Sequence, residues 1–378
     1  MQTGHAQRLA FASLCMGLIA GPLHSATVFT GETVQGKRVI SHLDTSDLPT
    51  GRHSLYFRGV QMGTGQYWLV PIVVAKGARP GKRFMLVAGV HGDEMSPLDA
   101  VQRVMAQLDP AAMAGTVVAV YDLARPAKEY VQRKWPVAQS GGSLVDTNRV
   151  WPGNADGGNM PSRHASLLWN GIFKPNTDIA LDFHTAATSG DFTAFIFADL
   201  RKPEVRAMAE LYPIEQVKND PGYAGTLETA FVEAGIPALT IEIGGPRVFN
   251  RQKIPMFVEG TMNVLKYHKV IEGAIGRTGR DAGTTTGDAF HTIRADNGGW
   301  LELLVDLRDK VAAGQAVAIQ RNSFGEVVRE YASEVNGEVS TIQRDALIEP
   351  GTRVMQILYD NPDPKCDGSG CYETGDDY

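Results

Sequence analysis

Residues 84–94 read FMLVAGVHGDE, and residues 96–108 continue as SPLDAVQRVMAQL. The first is an unbroken apolar run that stops at a histidine, a glycine and two carboxylates. The second places apolar residues at helical spacing behind a Ser-Pro start. A continuous apolar strand followed at once by an amphipathic helix is the unit of an α/β domain, because a parallel strand is covered on both faces by the helices it alternates with. The same alternation continues downstream in TVVAVYDLA (116–124), DIALDFHT (178–185), TAFIFADL (193–200) with PEVRAMAELY (203–212), and TLETAFVEAG (226–235) with IPALTIEIGG (236–245). The core is therefore predicted to be α/β, with a mostly parallel sheet flanked by helices.

Outward from that core the pattern changes on both sides. Towards the N-terminus, HSLYFRGV (53–60) and QYWLVPIVVAKG (66–77) alternate apolar and polar residues at a period of two. They predict a β segment over 27–75 that packs on the core. Residues 1–26 hold one charged side chain, Arg8, before the apolar run LAFASLCMGLIA and a small-residue exit at Ser25-Ala26. This pattern predicts a secretory signal peptide and a periplasmic or secreted protein. The catalytic α/β domain is expected over 76–280. Beyond GRDAGTTTGD (279–288) come short strands split by glycine turns, which predict a small all-β domain over 281–360. An acidic tail closes the chain at 361–378.

Composition narrows the function classes. The 378 residues carry 36 Lys and Arg against 42 Asp and Glu, a net charge of -6 that loss of Arg8 with the signal takes to -7. An acidic chain is a poor tracker of phosphate backbones, so nucleic acid is excluded as a partner. Of the 3 cysteines, Cys15 leaves with the signal. Cys366 and Cys371 are expected to form a local disulfide in the tail, and no thiolates remain for a metal site in the body of the fold.

Chemistry in such sheets sits where the strands end. Three ends stand out: His91 and Glu94 after FMLVAGV, His184 after ALDF, and Glu242 within LTIEIGG. Two imidazoles and a carboxylate are the ligands of an open zinc site. Glu242 is then a separate general base, since a carboxylate within an apolar strand is costly without a partner or a task. Structural alternatives stand beside these assignments. Glu94 also suits the first turn of the following helix, and His184 also reads as a satisfied core histidine.

AGVHGDE, VDTNRVWPG, LDFHT and IPALTIEIGG, in this order, resemble the succinylglutamate desuccinylase/aspartoacylase family of the zinc carboxypeptidase superfamily. The resemblance covers about residues 55–360. It implies a zinc-carboxypeptidase-like fold with one Zn2+ per chain on His91, Glu94 and His184, and Glu242 as base. Asn148 and Arg149 match the pair that grips a substrate carboxylate. The family's carbonyl-polarising arginine matches Arg133, with Arg125 as the alternative. The 281–360 region resembles lipoyl or biotinyl carrier domains, yet no lysine lies between Lys310 and Lys365. It is read as a packing, pocket-walling or oligomerisation element with no attached cofactor. Trp135, Trp151 and Tyr223 are candidates for a pocket or for core packing.

The expected function is an exported zinc-dependent amidohydrolase, or deacylase, cleaving the amide of a carboxylate-bearing substrate of the N-acyl amino acid type. The alternatives are a zinc carboxypeptidase or amidase acting on peptides or cell-wall peptides, and a catalytically silent metal-dependent binding protein.

Overall fold

The computed structural model describes Met1 and residues 26–138 and 142–362; the first cysteine, the tail cysteines and most of the signal segment lie outside them. Its centre is an 11-stranded sheet. From one edge to the other the strands are Val28–Val34, Lys37–His42, Gly51–Gln61, Tyr67–Lys76, Ala114–Val120, Arg79–Ala88, Ile179–His184, Ala238–Ile243, Ala194–Ala198, Gln216–Asn219 and Thr285–Gly287. Most ladders are parallel, including the three that join Ala114–Val120, Arg79–Ala88, Ile179–His184 and Ala238–Ile243 at the middle.

Those middle strands are apolar because helices cover both faces. Every residue of Ile179–His184 and Ala238–Ile243 is buried. On one face Phe84, Leu86, Leu181 and Ile241 pack against the helices Ser96–Ala106 and Ile254–Tyr267 through Val101, Val104, Phe257 and Val264. On the other, Met85, Val87 and Ala180 pack against Trp135, Phe173, Leu227 and Phe231.

The 27–75 strands pack into the core through Ile40, Phe57 and Ile72, and they do so as an edge-to-edge extension of its sheet, since Tyr67–Lys76 pairs directly with Ala114–Val120. The C-terminal boundary differs from the expectation, for the chain is not cut cleanly at 280. Thr285–Gly287 is the far edge strand of the large sheet, and Gly190–Phe192, from the middle of the chain, pairs with the C-terminal strand Gly337–Gln343. The latter sheet then runs through Arg353–Tyr359 to Ala289–Arg294. A further, four-stranded sheet lies beyond, ordered Val327–Ala332, Ala316–Arg321, Gly299–Leu303, Leu347–Ile348. Phe192, Phe195, Phe197, Phe290 and Leu358 form one buried cluster that joins the two regions.

Candidate active site

The site lies at the carboxyl ends of the middle strands. His184 is the last residue of its strand, and Glu242 is its register partner on the neighbouring parallel strand, so both side chains leave the sheet on the same face. His91 and Glu94 arrive from the turn after Arg79–Ala88. That turn is tight: a Cβ on Gly92 would collide with the backbone of Ala127, in the helix Arg125–Glu129. Only glycine lets the turn lie this close to that helix.

His91, Glu94 and His184 are fully buried and bring their ligand atoms within 4.8 Å of one another. His91 Nδ1 is 2.9 Å from Glu94 Oε1. His184 Nδ1 is 3.2 Å from Glu94 Oε2 and 3.3 Å from His91 Nδ1. Behind them, His91 Nε2 donates to Asp146 Oδ1 at 2.9 Å. Asp182 Oδ2 lies 2.9 Å from His184 Nε2, close enough for an ion pair but off the line of a hydrogen bond. With the His91 Nε2 proton directed at Asp146 and that of His184 on the Asp182 side, both Nδ1 atoms turn acceptor lone pairs towards Glu94.

Acceptors that converge in a buried space repel unless a cation lies between them. In the chain alone only protons answer that need. Burial opposes charge on His184, but Asp182 and Glu94 outweigh it and raise the imidazole well above its ordinary value. Burial likewise favours a neutral Glu94, but His91 and His184 override it and hold the carboxyl well below the usual range. Glu94 Oε2 has no hydrogen bond. The donor set and its backing carboxylates fit a divalent metal of the zinc type, and these three residues could hold one.

Glu242 is 7% exposed and lines the cavity above this cluster, with Oε2 unbonded. Burial pushes its carboxyl up to about 8, with His184 and Arg133 opposing and Glu94 and Asp182 assisting. Arg133 also lines the cavity, and its Nη1 donates to Glu94 Oε1 at 3.0 Å. The alternative, Arg125, instead pairs with Glu129 on the surface.

The Asn148 and Arg149 pair separates. Asn148 lines the cavity while its Oδ1 accepts from Leu227 N at 2.9 Å. Arg149 is not among the lining residues; its guanidinium stacks 5.0 Å from the ring of Tyr223, which does line the cavity. Of the three aromatic candidates only Tyr223 reaches the cavity. Trp135 packs on His164 and Trp151 on Phe173, both in the core. Glu94 does not cap its helix, whose N-cap is Met95.

Asp146 was missed by sequence reasoning, although it stands in the quoted VDTNR. Asp182 was not singled out either, although it stands in LDFHT. The usable signal was the period of two in LDFH, which puts Asp182 and His184 on one face of the strand. Arg353 also went unnoticed; it reaches the cavity from the C-terminal β region.

Comparison with known proteins bears on the family and the fold. A model of the succinylglutamate desuccinylase/aspartoacylase catalytic domain matches residues 80–268. The chain is 24% identical over 301 residues to the N-alpha-acetyl-L-2,4-diaminobutyric acid deacetylase of Halomonas elongata, covering 76% of this chain and 85% of that protein. Among solved structures it resembles a succinylglutamate desuccinylase/aspartoacylase from Rhodobacter sphaeroides, with a TM-score of 0.72 and 25% identity over 84% of this chain and 98% of the other. The product-bound ectoine utilization protein of Ruegeria pomeroyi has the same fold at a TM-score of 0.71, with 22% identity over 83% of this chain and 98% of its own. The members so named are deacylases that act on amide bonds. With the catalytic-domain match spanning half of its length, the chain belongs to the succinylglutamate desuccinylase/aspartoacylase family.

Proposed function

We infer that this protein is a zinc-dependent deacylase that hydrolyses the amide of an N-acyl amino acid, and that it works outside the cytoplasm. The observation that carries the reaction is the convergence of His91, Glu94 and His184 beneath a cavity whose wall carries a second buried carboxylate, Glu242. Zinc bound to the three residues would polarise the scissile carbonyl and lower the pKa of a water to ~7.

The chain's own groups supply the rest. Glu242 takes the proton of the attacking water and returns it to the departing amine. A carboxylate raised by burial is matched to both tasks, because it holds a proton near neutral pH and releases it readily. Arg133 donates to the oxygen on which negative charge develops, from a site where little water screens it. Asn148 and Tyr223 on the cavity wall orient the substrate carboxylate, and Arg149 behind Tyr223 supplies positive charge.

Purified protein loaded with zinc is to be challenged with N-acyl amino acids, C-terminal peptides and muropeptides while free amine is measured. Release from the N-acyl amino acids is expected. Glu242→Gln should keep stoichiometric zinc and lose turnover by roughly 10²-fold or more, while His184→Ala should lose the zinc. Full zinc in His184→Ala would overturn the ligand assignment. Export is supported by the signal-type sequence of residues 1–26, and a mature N-terminus at Thr27, read by mass spectrometry, is its check.

A further inference from the structure

Three buried carboxylates, Asp220, Glu228 and Glu242, line the cavity, and the reaction assigns a role only to Glu242. Glu228 sits in the first turn of the short helix Leu227–Glu233, lines the same cavity as Glu242, and is 7% exposed. Among the described residues it receives one hydrogen bond, from Thr229 Oγ1 at 3.1 Å, and no basic side chain lies within ion-pair distance. The nearby cations are engaged elsewhere. Lys218 Nζ bonds Asp220 at 2.8 Å, Arg133 bonds Glu94 at 3.0 Å, and Arg353 Nη1 bonds Gln356 at 2.7 Å.

The local field is acidic. Burial and the neighbouring Asp220 push the Glu228 carboxyl up to about 8, with Asp182 and Asp199 adding to the rise and Thr229 opposing it. A buried carboxyl without a cation is costly, and a glutamine could accept the Thr229 hydrogen bond equally well. Packing therefore does not account for an acid at this position, whereas a positive group arriving in the cavity does.

We propose that Glu228, beside Asp220, receives an ammonium or guanidinium on the substrate's side chain, so that the preferred substrates are N-acyl derivatives of basic amino acids. The proposal rests on the deacylase reading above and names the substrate class of that same cavity. Arg133 and Asn148 lie on the wall near the reacting carbonyl, and Glu228 supplies the opposite charge for the side chain, Asp220 being paired with Lys218. A zwitterionic amino acid moiety is thereby held at two points.

The test compares Nα-acetylornithine with its neutral isostere Nα-acetylnorleucine on the zinc-loaded protein. The wild type should favour the ornithine derivative in kcat/KM by about tenfold or more, and Glu228→Gln should lower that ratio by about tenfold, the worth of one hydrogen bond to a charged group. Glu228→Asp, which keeps the charge, should retain a preference. A wild-type ratio at or below one, or a ratio unchanged in Glu228→Gln, overturns the proposal. Calorimetric titration of free ornithine and norleucine tests the cation site independently of turnover. Ornithine should bind the wild type more tightly, and equal affinities count against Glu228. If no acyl substrate releases amine, the deacylase reading falls, while the titration still decides the cation site. If Glu228→Gln does not fold, the wild-type comparison and Glu228→Asp decide it.

Discussion

Asp146 and Asp182 stand behind the imidazoles of His91 and His184, and their roles are separable from that of the His-Glu-His cluster that could hold a metal. Carboxylates in this position fix the tautomer and the basicity of a metal-binding histidine, and their loss typically costs 10–100-fold in metal affinity. Asp182→Asn is therefore expected to weaken zinc binding by roughly that factor while the fold persists, as measured by competition with a chromophoric chelator. A different histidine answers to pH. His164 is fully buried, accepts from Val60 N at 3.2 Å and donates from Nε2 to Leu123 O at 3.1 Å. Burial lowers its pKa from 6.5 to about 4, against the opposing pull of the Leu123 carbonyl. The folded state thus takes up this proton less readily than the unfolded chain. Stability that is complete above pH 6.5 is lost as pH falls towards 4, by up to ~1.4 kcal/mol per pH unit from this one group. His164→Gln should flatten the fall in melting temperature between pH 6.5 and 5, a window above the range of ordinary carboxylates. The residues of the site that were legible in the sequence are those at strand ends, because an apolar strand stopping at a polar group advertises itself. Asp146, in a loop, and Glu228, in a short helix, carry no such signature, and only the tertiary fold brings them to the cavity.

Elements place these residues more strictly than their own preferences would. The HGDE turn can bring His91 and Glu94 to the cluster because Gly92 lies against the backbone of Arg125–Glu129, where Gly92 N donates to Arg133 O at 3.3 Å. Gly92→Ala is expected to push these two segments apart, lowering stability by about 1–3 kcal/mol as other overpacked sites do. Because His91, Glu94 and Arg133 all flank the contact, zinc affinity should fall with it. Thermal unfolding and chelator competition on the same preparation measure both effects. At this scale the apolar central strands and the helices Ser96–Ala106, Pro203–Glu210 and Leu227–Glu233 were readable, while the helix Met160–Leu168 and the short strand Gln216–Asn219 were not. The 27–75 strands were readable as strands, but their place as an extension of the central sheet was not. Their period of two says which face is buried and leaves open which neighbour supplies the hydrogen bonds.

At the scale of the whole molecule, the cavity at the strand ends of the large sheet is walled in part by the C-terminal β region, which supplies Arg353. The joint is the phenylalanine cluster, in which Phe290 lies 5.6 Å from Phe195 and 6.1 Å from Phe197. Phe290→Ala is expected to cost ~3–5 kcal/mol. Since Phe192 and Phe197 line the cavity, kcat/KM should drop as well, and denaturant unfolding beside steady-state assays will show whether the two losses travel together. Nothing in the chain's local patterning announces this joint, because its partners are far apart in sequence.

That separation sets a timetable for the newly made chain. Asp191 waits for Arg344, 153 residues later, before its ion pair can close, and Phe192 waits for Thr341 before its strand has a neighbour. A ribosome therefore delivers His91, Glu94, His184 and Glu242 well before it delivers the wall that shelters them. Contacts of such long span are slow to form. The Arg353 side of the cavity is complete only when Arg353–Tyr359, the last strand among the described residues, has been made, and a protein truncated a few dozen residues short would keep its chemical groups and lack that part of the wall.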